Sequence, residues 1–249
     1  MITDCYDIET EPTSTLQDHY GDPGHYTDRC LTILSYQLFE HLLEQFPCEK
    51  IGQIQSCNGA RDVYMLCYKD RKIAFYLSMI GSACAASNCE EAAWISGAKK
   101  FVMFGSCGSL DKAATTGKFI LPTESYRGEG VSYYYAPPQD YIRIQNSDKM
   151  KTFFEELAVP YVQGRVWTTD SFGRETKGLV AKRKAEGCIA VEMELAGVQA
   201  ACDFNGFELY NFLEAGDVLS DSGYELEGLH RANHDRAKLY IALEIATRI

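Results

Sequence analysis

Short apolar runs that alternate with helix-spaced patterns predict an α/β fold, a mixed sheet flanked by helices. The 249 residues, 46% of them hydrophobic, suffice for one sizeable core, and no low-complexity linker interrupts them. The chain divides into an acidic N-terminal segment, residues 1–28, and a single domain, residues 29–249.

Leu31 to Leu34 predicts a first strand, and Leu38, Leu42, Leu43 and Phe46 then recur at helical spacing until Pro47 stops the helix. Ile51 to Ile54 and Val63 to Tyr68 read as strands, the second joined through the Lys69-Asp70-Arg71 turn to Ile73 to Met79. Ala83 to Gly97, rich in alanine and closed by glycine, reads as a helix. Phe101 to Phe104 is a buried strand, with Gly105-Ser106-Cys107-Gly108 expected as the turn at its carboxyl end. Phe119 to Leu121 is extended, Met150 to Leu157 helical, and Gly164 to Thr169 a strand followed by the polar loop Asp170 to Thr176. Ile189 to Val191 is extended, Leu195 to Phe204 helical, and Phe207 to Leu213 a strand ending near Asp217. His230 to Ile249 reads as one closing amphipathic helix.

Charge narrows the function. The formal net charge of −11 disfavours a phosphate-tracking nucleic-acid surface, so the expected partner is a small molecule. The ten cysteines are scattered, with no CxxC pair, and are expected to be mostly buried thiols in a reducing cytoplasm. Residues 1–22 carry Asp4, Asp7, Glu9, Glu11, Asp18 and Asp22 and no apolar run, which predicts neither a signal peptide nor a membrane span.

In open α/β sheets ligands gather where the carboxyl ends of strands converge. Gly105-Ser106, Thr169 to Arg174, Glu192 to Glu194 and Asp217 all fall at such ends. The glycine turn lets backbone N–H groups approach an anion or sugar, with the Ser106 hydroxyl as a further donor. An ionised Glu194 offers two acceptor oxygens that suit vicinal sugar hydroxyls, and Met193 supplies an adaptable apolar contact. Acids in the first turn of a helix have a second use, since they also complement its dipole. A carboxyl at Asp217 suits protonation of a departing base.

On these residues the chain resembles the nucleoside phosphorylase and nucleosidase superfamily, from about Leu31 to the C-terminus. Ile189-Ala-Val-Glu-Met-Glu194 is similar to the ribose-binding motif. Phe101 to Gly108 resembles the strand and glycine turn of bacterial purine nucleoside phosphorylases. Arg127-Gly-Glu-Gly-Val-Ser132, running to Ala136-Pro137, is similar to a uridine phosphorylase pattern. The resemblance implies a three-layer α/β/α sandwich with a mixed, distorted barrel-like central sheet, and assembly into homo-oligomers, dimers or hexamers. It also implies that Met193 and Glu194 take the ribose, that Asp217 is the catalytic aspartate, and that Thr169, Phe172 and Arg174 fall in the base pocket. No metal or organic cofactor is implied, with inorganic phosphate the expected co-substrate.

Departures from the pattern bear on the nucleophile. The phosphate loop after the first strand is replaced by Ser35-Tyr36-Gln37, and Met103 stands where phosphorylases carry an arginine. The Gly21-Asp22-Pro23 turn precedes the first strand and is not that loop. Gly105, Ser106, Arg61 and Arg127 are the candidates for attending the nucleophile, Arg61 lying near the arginine that the family takes from a neighbouring subunit. In hydrolytic relatives a first-helix glutamate activates water, and Glu40 has roughly that offset. Phosphorolysis is the leading expectation; hydrolysis and non-catalytic nucleoside binding are the alternatives, and the accepted base stays open between the uridine-like Arg127 segment and the purine-like Asp217.

Overall fold

Among the described residues, eleven strands form one mixed sheet whose middle closes on itself. The structure, a computed structural model, describes residues 2–220 and 223–249; Met1 of the acidic segment lies outside them. In chain order the elements are α1 (Leu16–Tyr20), β1 (Arg29–Ile33), α2 (Tyr36–Gln45), β2 (Cys48–Ile54), β3 (Arg61–Tyr68), β4 (Arg71–Leu77) and α3 (Ser82–Ser96). Next come β5 (Lys100–Ser109), α4 (Lys112–Thr115), β6 (Phe119–Gly128), α5 (Ser132–Tyr135), β7 (Tyr141–Arg143), α6 (Ser147–Glu156) and β8 (Tyr161–Thr169). The chain ends with α7 (Lys177–Ala185), β9 (Cys188–Glu192), α8 (Leu195–Asn205), β10 (Glu208–Ser220), β11 (Gly223–Glu225), α9 (Leu229–Asn233) and α10 (Arg236–Arg248).

The strand order is β11-β10-β6-β8-β9-β5-β1-β4-β3-β2, with β7 on β6. A further pairing of β10 with β5 closes β5, β10, β6, β8 and β9 into a five-stranded barrel. Strand β5 pairs with β1 and β10 in parallel and with β9 antiparallel, so it is the hub of both the barrel and the open wing. Its apolar residues serve two cores. Phe101 and Met103 join α3 and α8 on one face, while Val102 and Phe104 join α2, α6 and α10 on the other. A strand covered on both faces has no polar side to show, which explains the unbroken run from Phe101 to Phe104. The result is the expected three-layer sandwich around a barrel-like sheet.

Local chemistry fixes the element ends. Thr15 and Asp18 form a reciprocal cap on α1, and Ser35 caps α2 by accepting the Leu38 N–H. Lys69 and Asp70, at φ 48° and 62°, make the two-residue turn between β3 and β4. The acidic segment docks on α3, where the Trp94 indole donates to the Gly21 carbonyl at 3.0 Å and the Gly24 N–H to the Trp94 carbonyl at 2.8 Å.

Three expectations need correction. Gly105 to Gly108 is not a turn; it lies inside β5, which β10 and β9 keep extended to Ser109. Asp217 does not follow its strand but sits within β10, whose register shifts between Ala215 and Asp217. The closing helix is two helices, because Asp235 adopts an extended backbone and caps α10 by accepting the Ala237 N–H.

Gly108 is where three strands meet, opposite Val191 of β9 and Asp217 of β10. A Cβ there would lie 2.5 Å from the Leu219 Cδ1 and 3.0 Å from the Val191 Cγ1. Gly108→Ala should therefore lower stability by about 1–3 kcal/mol through overpacking. Urea unfolding measures this, and an unchanged midpoint would show that the barrel tolerates a methyl group at its closure.

Candidate active site

One cleft of about 1200 Å³ opens at the barrel and is lined by Gly105, Ser106, Gly108, Met193, Glu194 and Asp217, with Phe172 at its rim. Two backbone devices bring these residues together. Strand β9 runs antiparallel to β5 with Val191 opposite Gly108, so the residues after Val191 travel back toward Ser106. On β10 the bulge at Gly216 inserts one residue, which turns Asp217 onto the face of β5 that Ser106 and Gly108 share. The Asp217 Oδ1 lies 3.5 Å from where a Gly108 Cβ would stand.

The acidic pair divides its labour. Glu192 is buried and holds the start of α8: its Oε2 accepts the N–H groups of Glu194 and Leu195, each at 2.7 Å, while the Thr168 hydroxyl donates to Oε1. Glu194 is the first residue of that helix boundary yet makes no capping bond. Its Oε1 instead accepts the Gly81 N–H at 2.7 Å, and the Ser82 hydroxyl holds the Met193 carbonyl at 2.9 Å. The first-turn role thus falls to Glu192, leaving Glu194 to face the cleft. Burial, and then the charge of Glu194, push the Glu192 carboxyl up to about 8. Burial also raises Glu194, against the pull of the Gly81 and Met193 N–H groups.

Around Asp217 the structure adds two groups that the sequence reading missed. Burial raises the Asp217 carboxyl, opposed by a hydrogen bond from Tyr224. Glu175, which also lines the cleft, is pushed up to about 7 by burial and by the neighbouring charge of Asp217. A carboxyl that keeps its proton near neutrality can donate to a basic atom of a bound ligand. Glu175 was hidden in a polar loop that folds as a 3₁₀ turn, Phe172–Arg174, and Tyr224 in the short strand β11.

Other expected site residues stand elsewhere. The Arg127 guanidinium is buried and committed, its Nε donating to the Ser132 hydroxyl at 2.7 Å and its Nη atoms to the carbonyls of Pro137 and Ala136 at 2.6 and 3.2 Å. It fixes the start of α5 rather than lining the cleft. The buried Thr169 hydroxyl accepts the Ser171 N–H at 3.3 Å, and Arg174 is exposed on the 3₁₀ turn; neither lines the cleft. Arg61 begins β3 on the β2–β3 hairpin, away from this chain's own cleft lining. Glu40 lies on α2 near Tyr64, also outside the lining. Met103 is 1% exposed and packs in the α3–α8 core.

The fold and this cleft define a class, and sequence comparison agrees with them. The chain belongs to the phosphorylase superfamily, whose family pattern matches residues 30–238. It is similar to the DeoD-type purine nucleoside phosphorylases of Bacillus cytotoxicus, at 24% identity, and Bacillus cereus, at 23%; each match spans 72% of this chain and 77% of the relative. Among solved structures, its fold is similar to that of purine nucleoside phosphorylase from Toxoplasma gondii in complex with immucillin-H, with a TM-score of 0.71, 17% identity, and coverage of 90% and 93% of the two chains. Among the described residues no helix is long and apolar enough to cross a membrane.

The raised carboxyls set a pH dependence. Glu175 has a folded-state value of about 7 against an ordinary 4.5, and Glu192 about 8. Groups raised in the folded state contribute fully below their unfolded value, and that contribution is lost as pH rises through the folded value. Stability should therefore fall between about pH 5 and about pH 8, and Glu175→Gln should flatten part of the fall. Denaturant unfolding at the two pH values tests this; a wild-type stability that rises over the interval would contradict the assignment.

Proposed function

We propose that this protein cleaves the N-glycosidic bond of a purine nucleoside by phosphorolysis, releasing the free base and ribose 1-phosphate. The observation that carries the reading is the meeting of Glu194 and Asp217 in one cleft, on elements that reach it from opposite sides of β5. Asp217 and the purine-specific names of the similar enzymes support a purine over a pyrimidine. The ten unpaired thiols suit a reducing cytoplasm. Arg61, on the exposed hairpin, is available to complete a neighbouring subunit's site in a homo-oligomer.

The chemistry follows from the placement of charge. Glu194 accepts the hydroxyls of the ribose cis-diol, and Met193 lies against the sugar. As the bond from C1′ to the base nitrogen breaks, its electron pair passes to the base, and a proton reaches the ring through Asp217 from the neighbouring Glu175, whose carboxyl keeps one near neutrality. A phosphate oxygen attacks C1′ from the other face and forms the new C–O bond. Preorganised groups aimed at developing charge supply most of the acceleration in such a scheme.

One observation favours a second reading, hydrolysis by water. Met103 occupies the position where phosphorylases carry an arginine, and it is buried in the core. Desolvating a phosphate without cations is costly. Product analysis separates the two readings. Incubation with inosine, adenosine and guanosine should yield ribose 1-phosphate only when phosphate is supplied, whereas free ribose in phosphate-free buffer would establish hydrolysis.

Asp217→Asn should cut purine nucleoside turnover by about 10²–10⁴-fold, the usual scale of one acid–base group, while nucleoside binding persists. Steady-state kinetics with a separate binding titration checks this, and an unaltered rate would remove Asp217 from the mechanism. Glu194→Ala should weaken binding as well as turnover, since its contact with the sugar precedes bond cleavage.

A further inference from the structure

We propose that Ser35, Ser106, Asn233 and His234 form the pocket for the attacking phosphate, with the α9–α10 junction supplying what the absent phosphate loop and arginine would otherwise provide. The proposal rests on the phosphorolysis reading above.

All four residues line the cleft, and they form a connected set. The Ser106 hydroxyl donates to the Asn233 Oδ1, and Ser35 Oγ and His234 Nδ1 are 2.8 Å apart. These bonds leave specific donors for a ligand. With its oxygen occupied by Ser106, the Asn233 side chain keeps its NH2 group. Ser35 Oγ accepts the Leu38 N–H and also pairs with His234 Nδ1; in the tautomer where Ser35 donates, the imidazole carries its N–H on Nε2 and offers it to a ligand.

Position favours the nucleophile. Ser106 and Gly108 are two residues apart on one face of β5, about 7 Å along an extended strand, and Asp217 stands beside Gly108. A base at Asp217 and a phosphate at Ser106 would therefore stand on either side of a sugar's anomeric carbon. Formal charge does not oppose an anion at the same end. Lys238 Nζ is 3.6 Å and Arg231 Nη2 3.7 Å from the two oxygens of Glu214, and Asp235 acts on both Glu214 and Lys238, so two cations balance two carboxylates. Lys238 also lines the cleft, and Glu214 pairs in register with Ser106. The other end holds Asp217, whose charge acts on the neighbouring Glu175 and would repel a phosphate.

The break that Asp235 makes between α9 and α10 is where Asn233 and His234 meet Ser106 and Ser35.

The test measures Michaelis constants for phosphate and for inosine separately in the wild type, His234→Gln and Asn233→Ala, with thermal melting as a fold control. Each substitution should raise the KM for phosphate at least about tenfold, the weaker end for a lost hydrogen bond to a charged group, and leave the KM for inosine within about twofold. Phosphate alone should raise the melting temperature of the wild type more than that of either variant. A phosphate-dependent wild type whose phosphate KM and phosphate stabilisation are matched by both variants would overturn this pocket and leave the phosphorolysis reading standing. A wild type that releases ribose without phosphate would overturn both.

Discussion

The closure of the barrel at Gly108 is the constraint on which the cleft depends. Strand β5 must accept β9 on one side and β10 on the other at the same residue, and only the missing side chain lets Val191, Asp217 and Leu219 crowd that point. From this meeting the chain runs in two directions. Beyond Val191 it delivers Met193 and Glu194, and through the bulge on β10 it delivers Asp217. The site is thus a consequence of sheet closure, in which two strands far apart in sequence deposit their functional groups over a shared neighbour. Interiors packed at this density respond to an added methyl by shifting their neighbours, so geometry and stability are tied together here.

Electrostatics follow the same axis. Asp217 and Glu175 stand at the Gly108 end, where burial raises both carboxyls, and burial also raises the Glu192–Glu194 pair that runs from there toward Ser106. Hydroxyl, amide and imidazole donors collect at the Ser106 end, where Lys238 and Arg231 balance Glu214 and Asp235. A ligand that is anionic at one end and proton-accepting at the other complements this gradient. Partial burial gives these charges more weight than they would carry in water.

Much of this was legible in the sequence, and the gaps have physical causes. The apolar run Phe101 to Phe104 marked a strand buried on both faces, and Met193, Glu194 and Asp217, all expected at strand ends, line one cleft although Asp217 lies within its strand. Gly105 to Gly108 was misread as a turn because glycine signals freedom locally, whereas here it answers a tertiary need for close approach. The length of β10 was underestimated because a bulge interrupts the alternation on which strand reading relies. Asn233 and His234 were absorbed into a continuous helical pattern, although Asp235 is a common capping residue and marked the break. Arg127 carried a family-like motif, yet its guanidinium is spent on the Ala136 and Pro137 carbonyls, a commitment that no spacing rule reveals. Glu175 carried no motif at all; only folding brings it next to Asp217.

The central claim is that one sugar spans the gap between Glu194 and Asp217. A crystal structure of the protein with a nucleoside analogue that resists cleavage tests it most directly. The account predicts the two ribose hydroxyls within hydrogen-bond distance of the Glu194 carboxyl and the base edge against Asp217, with the anomeric carbon facing Ser106. A nucleoside bound in the opposite sense, with its base toward Ser106, or bound outside this cleft, would contradict it.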